Sequence, residues 1–219
     1  MEEKKFVKFK KEEFKMKEFI KENLGKGRIS HVSIEYTPVG EKLIVETNKP
    51  GYIIGKQGGR IAELTELLKR KFKLENPHIE IAEINNPDFD SRTVADDIAL
   101  SLERFGNLRF KAIAYRSLQR IMRAGALGAE ISISGKLPGE RAKTWRFAQG
   151  YLKKTGDTAR MVSRSQARAI TKTGMIGIKV SILPKGIKLL DRVDMSDELK
   201  NKIKSQALLM EEKNGSNKE

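Results

Sequence analysis

Residues 55–58 of this 219-residue chain, with the sequence GKQG, form a glycine-bounded turn that could hold a phosphate chain. Glycine has no side chain, so the backbone of such a turn can approach a sugar-phosphate backbone closely. The turn also points backbone N–H groups and the N-terminus of the following helix at phosphate oxygens. Positive charge comes from a lysine inside the turn and an arginine just after it. The turn predicts a nucleic-acid contact through Gly55, Lys56, Gln57, Gly58 and Arg60.

The neighbours of this turn make the signal more specific. Ile53 and Ile54 precede it and Ile61 follows it, and these side chains could form the floor of a groove for unstacked bases. That is how KH modules bind single-stranded RNA. A plain turn between two helices remains the alternative. A P-loop is excluded because no Gly-Lys-Ser/Thr ends the turn, and the β-α-β order of a dinucleotide-binding fold is missing.

A second candidate site is a basic helix predicted near residues 108–124. Four of its arginines recur at spacings of seven, four and three, which places them close to one face. No acid follows Glu103 in this region, so nothing within the helix neutralises them, whereas a solvated charged face usually mixes signs. We interpret the helix as a surface that follows phosphates. Its basic residues are Arg109, Lys111, Arg116, Arg120 and Arg123.

The segment 141–173 is also polar and basic, and it supplies Lys143 and Arg146 as further RNA-binding candidates. Trp145, Phe147 and Tyr151 alternate along it. They could offer a surface on which bases stack, but such a face is more often the core of a sheet, and we favour the core.

The composition indicates a polyanionic partner. Lysine and arginine number 44 against 29 acids, which gives a formal net charge of +15 and a pI near 9.9. This excess of charge destabilises the protein by itself, and binding to nucleic acid compensates for it. There are no cysteines, so disulfides and cysteine-based metal sites are excluded. His31 and His78 are interpreted as strand residues, and neither a metal nor a cofactor is predicted.

The N-terminus has no apolar signal region, and no uninterrupted apolar run approaches the length needed to span a membrane. Glutamates interrupt its amphipathic start, which argues against a helix on a membrane surface. We therefore expect a cytoplasmic protein that does not bind membranes.

The hydrophobic spacing predicts an α+β chain. A helix over 8–24, strands near 29–36 and 42–47, the turn with a helix on each side, and a strand over 77–84 give the order α-β-β-α-α-β. Next come helices near 91–105, with Ser91 as N-cap, and 108–124. The remaining strands are predicted near 129–134, 144–152, 160–170 and 176–182.

These elements predict an N-terminal domain over 1–85, a linker over 86–90 and a second α/β domain over 91–184. In the second domain, two helices are expected to pack on a mixed four-stranded sheet. A charged tail follows over 185–219, with a helix over 196–213 and disorder over 214–219.

Four sequence blocks resemble a known family. They are GYIIGKQGGRI at 51–61, MRAGALGAE at 122–130, ISGKLPGERAK at 133–143 and GMIGIKV at 174–180. In this order, and over nearly the whole chain, they are similar to the small-ribosomal-subunit protein family called S three, in its archaeal and eukaryotic form. The short tail and the Lys- and Ile-rich composition favour the archaeal type.

The resemblance implies a type II KH domain followed by a family-specific domain, bound to the head of the small subunit where messenger RNA enters. It implies three partners: small-subunit ribosomal RNA, messenger RNA and neighbouring ribosomal proteins of the head. By position, Lys111 and Arg116 are implied to hold messenger RNA, with Arg120 and Arg123 nearby. Where many relatives have two adjacent basic residues, this sequence has Lys111 followed by Ala112.

Two alternatives belong to other functional classes. A nuclease or DNA lyase would need clustered carboxylates, and the nearest candidates, Asp88, Asp90, Asp96 and Asp97, are explained by helix capping. A free-standing KH regulator of messenger RNA would not usually need a second basic domain of this size. We therefore expect a non-enzymatic RNA-binding protein.

Overall fold

The N-terminal half builds a three-stranded sheet. The computed structural model describes residues 2–38, 40–72, 74 and 76–187. Strand β1 pairs antiparallel with β2, and β2 pairs parallel with β3. The predicted α-β-β-α-α-β order is confirmed. The elements are α1 (Glu2–Leu24), β1 (Val32–Thr37), β2 (Gly40–Thr47), α2 (Pro50–Ile54), α3 (Gly59–Phe72) and β3 (His78–Glu83).

Helix α1 begins earlier than the predicted residue 8, because charged residues support its first turns. Glu2 and Glu3 lie in the first turn, where negative charge complements the helix dipole. Farther along, Lys10 and Lys17 each lie 2.7 Å from Glu13. These hydrogen bonds lower the pKa of the Glu13 carboxyl. Such pairs, three or four positions apart, stabilise a helix before its apolar face reaches the core.

The C-terminal half has two helices and a four-stranded sheet with the strand order β5-β4-β7-β6. All three strand pairings are antiparallel, so the predicted mixed sheet is wrong for this half. The reason is that β4–β5 and β6–β7 are hairpins and β7 runs opposite to β4. The elements are α4 (Ser91–Phe105), α5 (Phe110–Ala124), β4 (Gly128–Gly135), β5 (Lys143–Gly150), β6 (Ser163–Thr171) and β7 (Gly174–Leu183).

Each half has its own apolar core. In the first half, Ile20 and Leu24 of α1 pack with Leu43, Val45 and Leu68. In the second half, α4 and α5 lie on one face of the four-stranded sheet, and the inward side chains of the strands meet them. The inward side chains are mostly β-branched or small, including Ile131, Ile133, Ala167, Ala169, Ile178 and Val180.

The structure corrects two local predictions, the start of β1 and the N-cap of α4. Strand β1 begins at Val32 rather than Ile29, so His31 precedes it, while His78 opens β3 as expected. The N-cap of α4 is Asp90, not Ser91, because its carboxylate accepts hydrogen bonds from the backbone N–H groups of Arg92 and Thr93. A carboxylate is a strong N-cap because it also complements the helix dipole.

The predicted domain limits remain predictions, since the chain up to Lys185 forms one compact unit. From residue 188 onward, the predicted tail, including its helix and disordered end, lies outside the described residues. Within the described ranges, no helix is long and apolar enough to cross a membrane.

Helix α4 joins the two halves. Its apolar side, with Val94 and Ile98, belongs to the second core. On its other side, the Asp96 carboxylate accepts a hydrogen bond from the backbone N–H of Gly27 at 3.2 Å. Nearby, the Lys26 ammonium lies 3.3 Å from the Glu103 carboxylate. The loop after α1 is therefore bonded to the polar side of α4.

The same contacts protect the outer edge of β6, which is the last strand of its sheet. Glu103 accepts a hydrogen bond from the backbone N–H of Ile170 at 2.9 Å. Lys26 and Arg92 donate to the backbone carbonyls of Arg168 and Gln166. An edge strand exposes unpaired backbone groups that can pair with another chain. Side chains from α4 and from the loop after α1 satisfy three of these groups.

The Asp96 carboxyl makes the stability of the contact between α4 and the loop after α1 depend on pH. Burial raises the pKa of its carboxyl above the ordinary value, although the nearby Arg92 guanidinium and the Gly27 N–H act in the opposite direction. The charged form is therefore less favourable in the folded protein than in water. Such a group contributes stability at low pH that is lost as the pH rises through its folded-state pKa.

We predict that Asp96→Asn is at least as stable as the parent protein at pH 7, because the amide oxygen still accepts from Gly27 without a buried charge. The difference in unfolding free energy between Asp96→Asn and the parent should shrink as the pH falls from the folded-state pKa of Asp96 towards the ordinary pKa of an aspartate. Urea denaturation between pH 3.5 and 7 measures this, at pH values of about half-unit spacing. Glu63→Gln, which removes one charge at an exposed position of α3, is the control. A deficit for Asp96→Asn at pH 7 that disappears in acid would contradict the prediction.

Candidate nucleic-acid interface

The glycine turn of the KH-like half has a backbone that requires its glycines. Helix α2 ends at Ile54, and a single 3-10 turn over Lys56–Gly58 leads directly into α3. Gly55 and Gly58 have φ values of 72° and 75°, and Gln57 between them also has a positive φ of 52°. A side chain is strained in this left-handed region. Within the turn, Lys56 and Gln57 are exposed and the two glycines are half-buried.

Arg60 is held beside this turn by contacts that the sequence did not predict. Its guanidinium donates to the backbone carbonyl of Tyr52 at 3.0 Å and lies 5.3 Å from the centre of the Tyr52 ring. Arg28 lies 4.1 Å from the same ring. Two guanidinium groups therefore lie against one exposed tyrosine. Arg28 was missed because nothing in its local spacing connects it with residue 52.

The structure leaves only part of the predicted apolar groove floor accessible. Ile53 is buried in the core and cannot contact a base. Ile54 is 39% exposed, and Ile61 is half-buried against the core. The reason is the short α2 helix, which turns consecutive isoleucines in different directions. Only Ile54 and the edge of Ile61 remain to contact a ligand.

The arginines of α5, together with Arg109 just before it, fall into two groups. Phe110, Ala114, Leu118 and Ile121 face the core. Arg109, Arg116 and Arg123 are exposed on the opposite side and have no acidic partner within 4 Å among the described residues. Arg120 differs from them, because its guanidinium lies 2.7 Å from Asp88 and 3.1 Å from Asp97. The sequence showed no acid within the helix, but the fold supplies two from outside it.

Lys111 lies on another side of α5. Its ammonium is 4.7 Å from the centre of the Trp145 ring on β5. Five positions separate Lys111 from Arg116, which corresponds to a rotation of about 140° around the helix. The two residues implied to hold messenger RNA are therefore on different flanks, with the small side chain of Ala112 between them.

A groove of about 540 Å³ lies between α4 and α5 beside Arg116. Its apolar surface comes from Leu100, Phe105 and Ile113. Arg104 of α4 also lines it, and sequence analysis missed this residue because it belongs to a helix with mixed charges. The arginines around the groove are Arg104, Arg109, Arg116 and Arg120.

The two candidates on β5 point to opposite sides of the sheet. Alternation along the strand places Lys143 with Trp145 and Phe147 on the helix side. Arg146 is 70% exposed on the other side, 3.7 Å from Glu130. The aromatic prediction for this strand is confirmed for Phe147, which is buried, and for Trp145, which packs against the core. It is wrong for Tyr151, which is exposed because β5 ends at Gly150.

The four carboxylates considered for a nuclease all have structural partners. Asp90 caps α4, Asp96 accepts from Gly27, and Asp88 and Asp97 bind Arg120. In the part of the chain that the structure describes, no group of three or more histidine or acidic residues could hold a metal ion.

The turn geometry allows a matched pair of glycine substitutions. A Cβ added at Gly58 or at Gly59 meets no atom within 4 Å, but only Gly58 has a positive φ. We predict that Gly58→Ala lowers the free energy of unfolding by about 1 kcal/mol. Gly59→Ala should be neutral or stabilising by up to about 1 kcal/mol, because it lies in a helical conformation. Urea denaturation of both variants measures the difference. Equal effects would show that the turn adopts another backbone conformation.

Comparison with known proteins supports both halves of this description. A KH domain model matches residues 15–89, and a model described as ribosomal protein S3, C-terminal domain, matches residues 98–182. The two matches agree with the α+β fold and with the order of its halves.

Several archaeal proteins named small ribosomal subunit protein uS3 are similar to the chain. The one from Methanocaldococcus jannaschii is 41% identical over 199 residues, which cover 90% of this chain and 95% of the relative. Those from Methanococcus maripaludis and Methanococcus aeolicus are 38% and 36% identical. They cover 84% and 90% of this chain, and 87% and 94% of each relative.

These relatives are named as ribosomal proteins, which supports the prediction of a non-enzymatic protein. The resemblance to the S three family, in its archaeal form, is confirmed. With this identity over nearly all of its length, the chain belongs to the uS3 family of small ribosomal subunit proteins.

Proposed function

We propose that the chain is a structural constituent of the small ribosomal subunit, located in the head. There it binds ribosomal RNA, contacts neighbouring head proteins and helps to line the channel through which messenger RNA enters. Its place in the cell is then the cytoplasm, on the ribosome. The observation that carries the proposal is the exposed, unneutralised charge of α5 in a chain of the uS3 family. Lys111, Arg116 and Arg123 provide it.

In the KH half, the glycine turn is proposed to contact an RNA backbone. Gly55 and Gly58 allow the backbone to take this path, while Lys56 and Arg60 add positive charge. Tyr52 is exposed and its ring contacts the guanidinium groups of both Arg28 and Arg60, which limits the orientations that these groups adopt. Oriented guanidinium groups bind phosphates in a bidentate manner, which a flexible lysine does not.

In the second half, messenger RNA is proposed to cross α5. Lys111 and Arg116 flank the crossing, and Ala112 between them leaves the helix surface low enough for a backbone to approach. Tyr115 is 54% exposed and lies one turn after Lys111, where a base can stack on its ring. The alternation of cation and aromatic ring suits a single strand, since phosphates and bases each have a partner.

The basic residues of the second half are expected to contribute unequally to RNA binding. Arg109, Arg116 and Arg123 are available for phosphates. Arg120 already binds two carboxylates, so we assign it mainly to the connection between α5 and α4. Lys143 extends the surface beside Trp145, while Arg146 lies on the far side of the sheet and is assigned to a separate contact.

The first prediction concerns assembly. Tagged chain in lysate of its source cells should co-sediment with the small subunit in equal amounts and remain bound as the salt concentration rises. Many phosphate contacts give a high affinity at low salt, so the chain should stay bound until the salt concentration is high; because each contact releases counterions, the affinity then falls steeply. Sucrose-gradient sedimentation at low and high salt measures this. Migration as free protein would contradict the ribosomal role and would favour a free-standing KH regulator.

The second prediction concerns messenger RNA. Small subunits that carry Lys111→Ala with Arg116→Ala should bind unstructured messenger RNA less tightly by about thirtyfold, because two lost phosphate contacts at about 1 kcal/mol each remove about 2 kcal/mol. Filter binding with reconstituted subunits measures the affinity. The control carries Lys4→Ala with Lys8→Ala, which removes the same charge from exposed positions of α1. Equal losses in both variants would show a general charge effect and no site on α5.

A further inference from the structure

The four-stranded sheet has one face that no described helix covers. Helices α4 and α5 pack on the inner face only, with α4 against β6 and β7 and α5 against β4 and β5. On the outer face, none of the side chains from the centre of the four strands is buried. Sheets of this kind usually keep one face on the core and one in solvent. This outer face differs from an ordinary solvent-exposed sheet face in the residues it carries.

The strand register arranges the outer side chains in three rows of four across β5, β4, β7 and β6. Each row joins residues that are directly paired, so its members share a face. The rows are Ala148, Glu130, Ser181 and Arg164; Arg146, Ser132, Lys179 and Gln166; and Thr144, Ser134, Gly177 and Arg168. The array measures about 14 Å by 14 Å, from strand and residue spacings.

The array combines small side chains, which form a flat floor close to the backbone of the sheet, with long cationic side chains that extend beyond them. Four of its six positions on the central strands β4 and β7 are serines or glycine, and these side chains are too short to prevent a close approach. Arg146, Lys179, Arg164 and Arg168 rise around and between them. All four of these cationic residues are exposed.

The array contains a single acid, and that acid is already neutralised. Glu130 lies 2.7 Å from the Lys154 ammonium, which is just beyond β5, and 3.7 Å from Arg146. Its side chain is only 17% exposed. The outer face therefore keeps a net positive charge, to which Arg164, Arg168 and Lys179 contribute with no acidic partner among the described residues. A shallow cavity of about 420 Å³ lies over these residues.

We propose that this outer face, the residues of the three rows together with Lys154, binds the backbone of double-stranded RNA. The proposal deepens the proposed function and rests on it, since it adds a second RNA surface on the side of the domain opposite to α5. The small floor lets a helical backbone lie close to the sheet, and the cations reach phosphates on both sides of it. Contacts of this kind recognise the shape of an RNA helix rather than its sequence.

The lack of aromatic side chains in the three rows favours double-stranded over single-stranded RNA as the ligand. None of the twelve positions in the three rows carries an aromatic residue. Proteins that bind single strands combine a charged groove with aromatic rings on which bases stack. Such an exposed ring occurs on the α5 side, at Tyr115, and not here. A duplex needs no stacking partner because its bases are already stacked within the helix.

The purified full chain tests the proposal with a triple variant, Arg164→Gln, Arg168→Gln and Lys179→Gln. The matched control, Lys4→Gln, Lys5→Gln and Lys8→Gln, removes the same charge from exposed positions of α1. The probes are a fluorescent RNA hairpin of about 20 base pairs and an unstructured oligouridine of equal length. The outer-face variant should lose at least about tenfold in hairpin affinity near 0.1 M salt, with a salt slope smaller by up to three. The control and the oligouridine should change much less.

Circular dichroism and a thermal melt establish that each variant is folded. All three substituted side chains are solvent-exposed, so the fold should tolerate them. Equal losses for the variant and its control, or equal losses for hairpin and oligouridine, would overturn the proposal.

A second measurement uses assembled subunits. A photo-crosslinking benzoylphenylalanine in place of Gln166, at the edge of the array, should crosslink to ribosomal RNA. A crosslink to a protein instead would overturn the proposal. If the chain failed to enter the subunit, the proposed function would be wrong, but the hairpin measurement would still decide whether the outer face binds a duplex.

Discussion

Helix α4 is the element on which the arrangement of the chain depends, because it forms contacts on two sides at once. Its apolar side completes the core of the four-stranded sheet. Its polar side binds the loop after α1 through Asp96 and Glu103 and satisfies the edge of β6. A buried carboxylate that accepts a backbone N–H holds a loop more specifically than apolar contact does, because the hydrogen bond has a direction. The glycine turn and the basic helix are therefore parts of one compact unit.

The one-sided packing of the sheet has a direct consequence for RNA binding. Because α4 and α5 cover the inner face, every second residue of each strand is left for the outer face. The chain uses these positions for small residues and cations, and it places its aromatic residues on the helix side. The two sides of this half therefore differ chemically. One side combines cations with exposed rings, as suits a single strand, and the other combines cations with a flat floor, as suits a duplex.

Net charge alone does not tell which basic residues bind RNA. Arg120 and Arg116 belong to the same helix and differ by one turn, yet Arg120 is bound to two carboxylates and Arg116 is not. Arg60 and Arg28 lie far apart in the sequence, yet both contact Tyr52. An ion pair reduces the gain from a phosphate contact, because the carboxylate must first be released or remain as a repulsive charge. The surface is therefore defined by the cations that remain after internal pairing.

The order of the elements, the glycine turn and the basic helix followed from the sequence alone, because they depend on local spacing: apolar residues at a helical or an alternating period, and glycines where φ is positive. The family followed from the resemblance of four sequence blocks to a known family. Tertiary structure alone decided that the second sheet is antiparallel, that Asp90 rather than Ser91 caps α4, that Ile53 is buried and that Arg120 is neutralised by Asp88. Each of these depends on which distant segments are brought together. A residue's neighbours in the chain do not specify these contacts. Residues of the same type and spacing become buried, paired or exposed according to which distant segments pack against them.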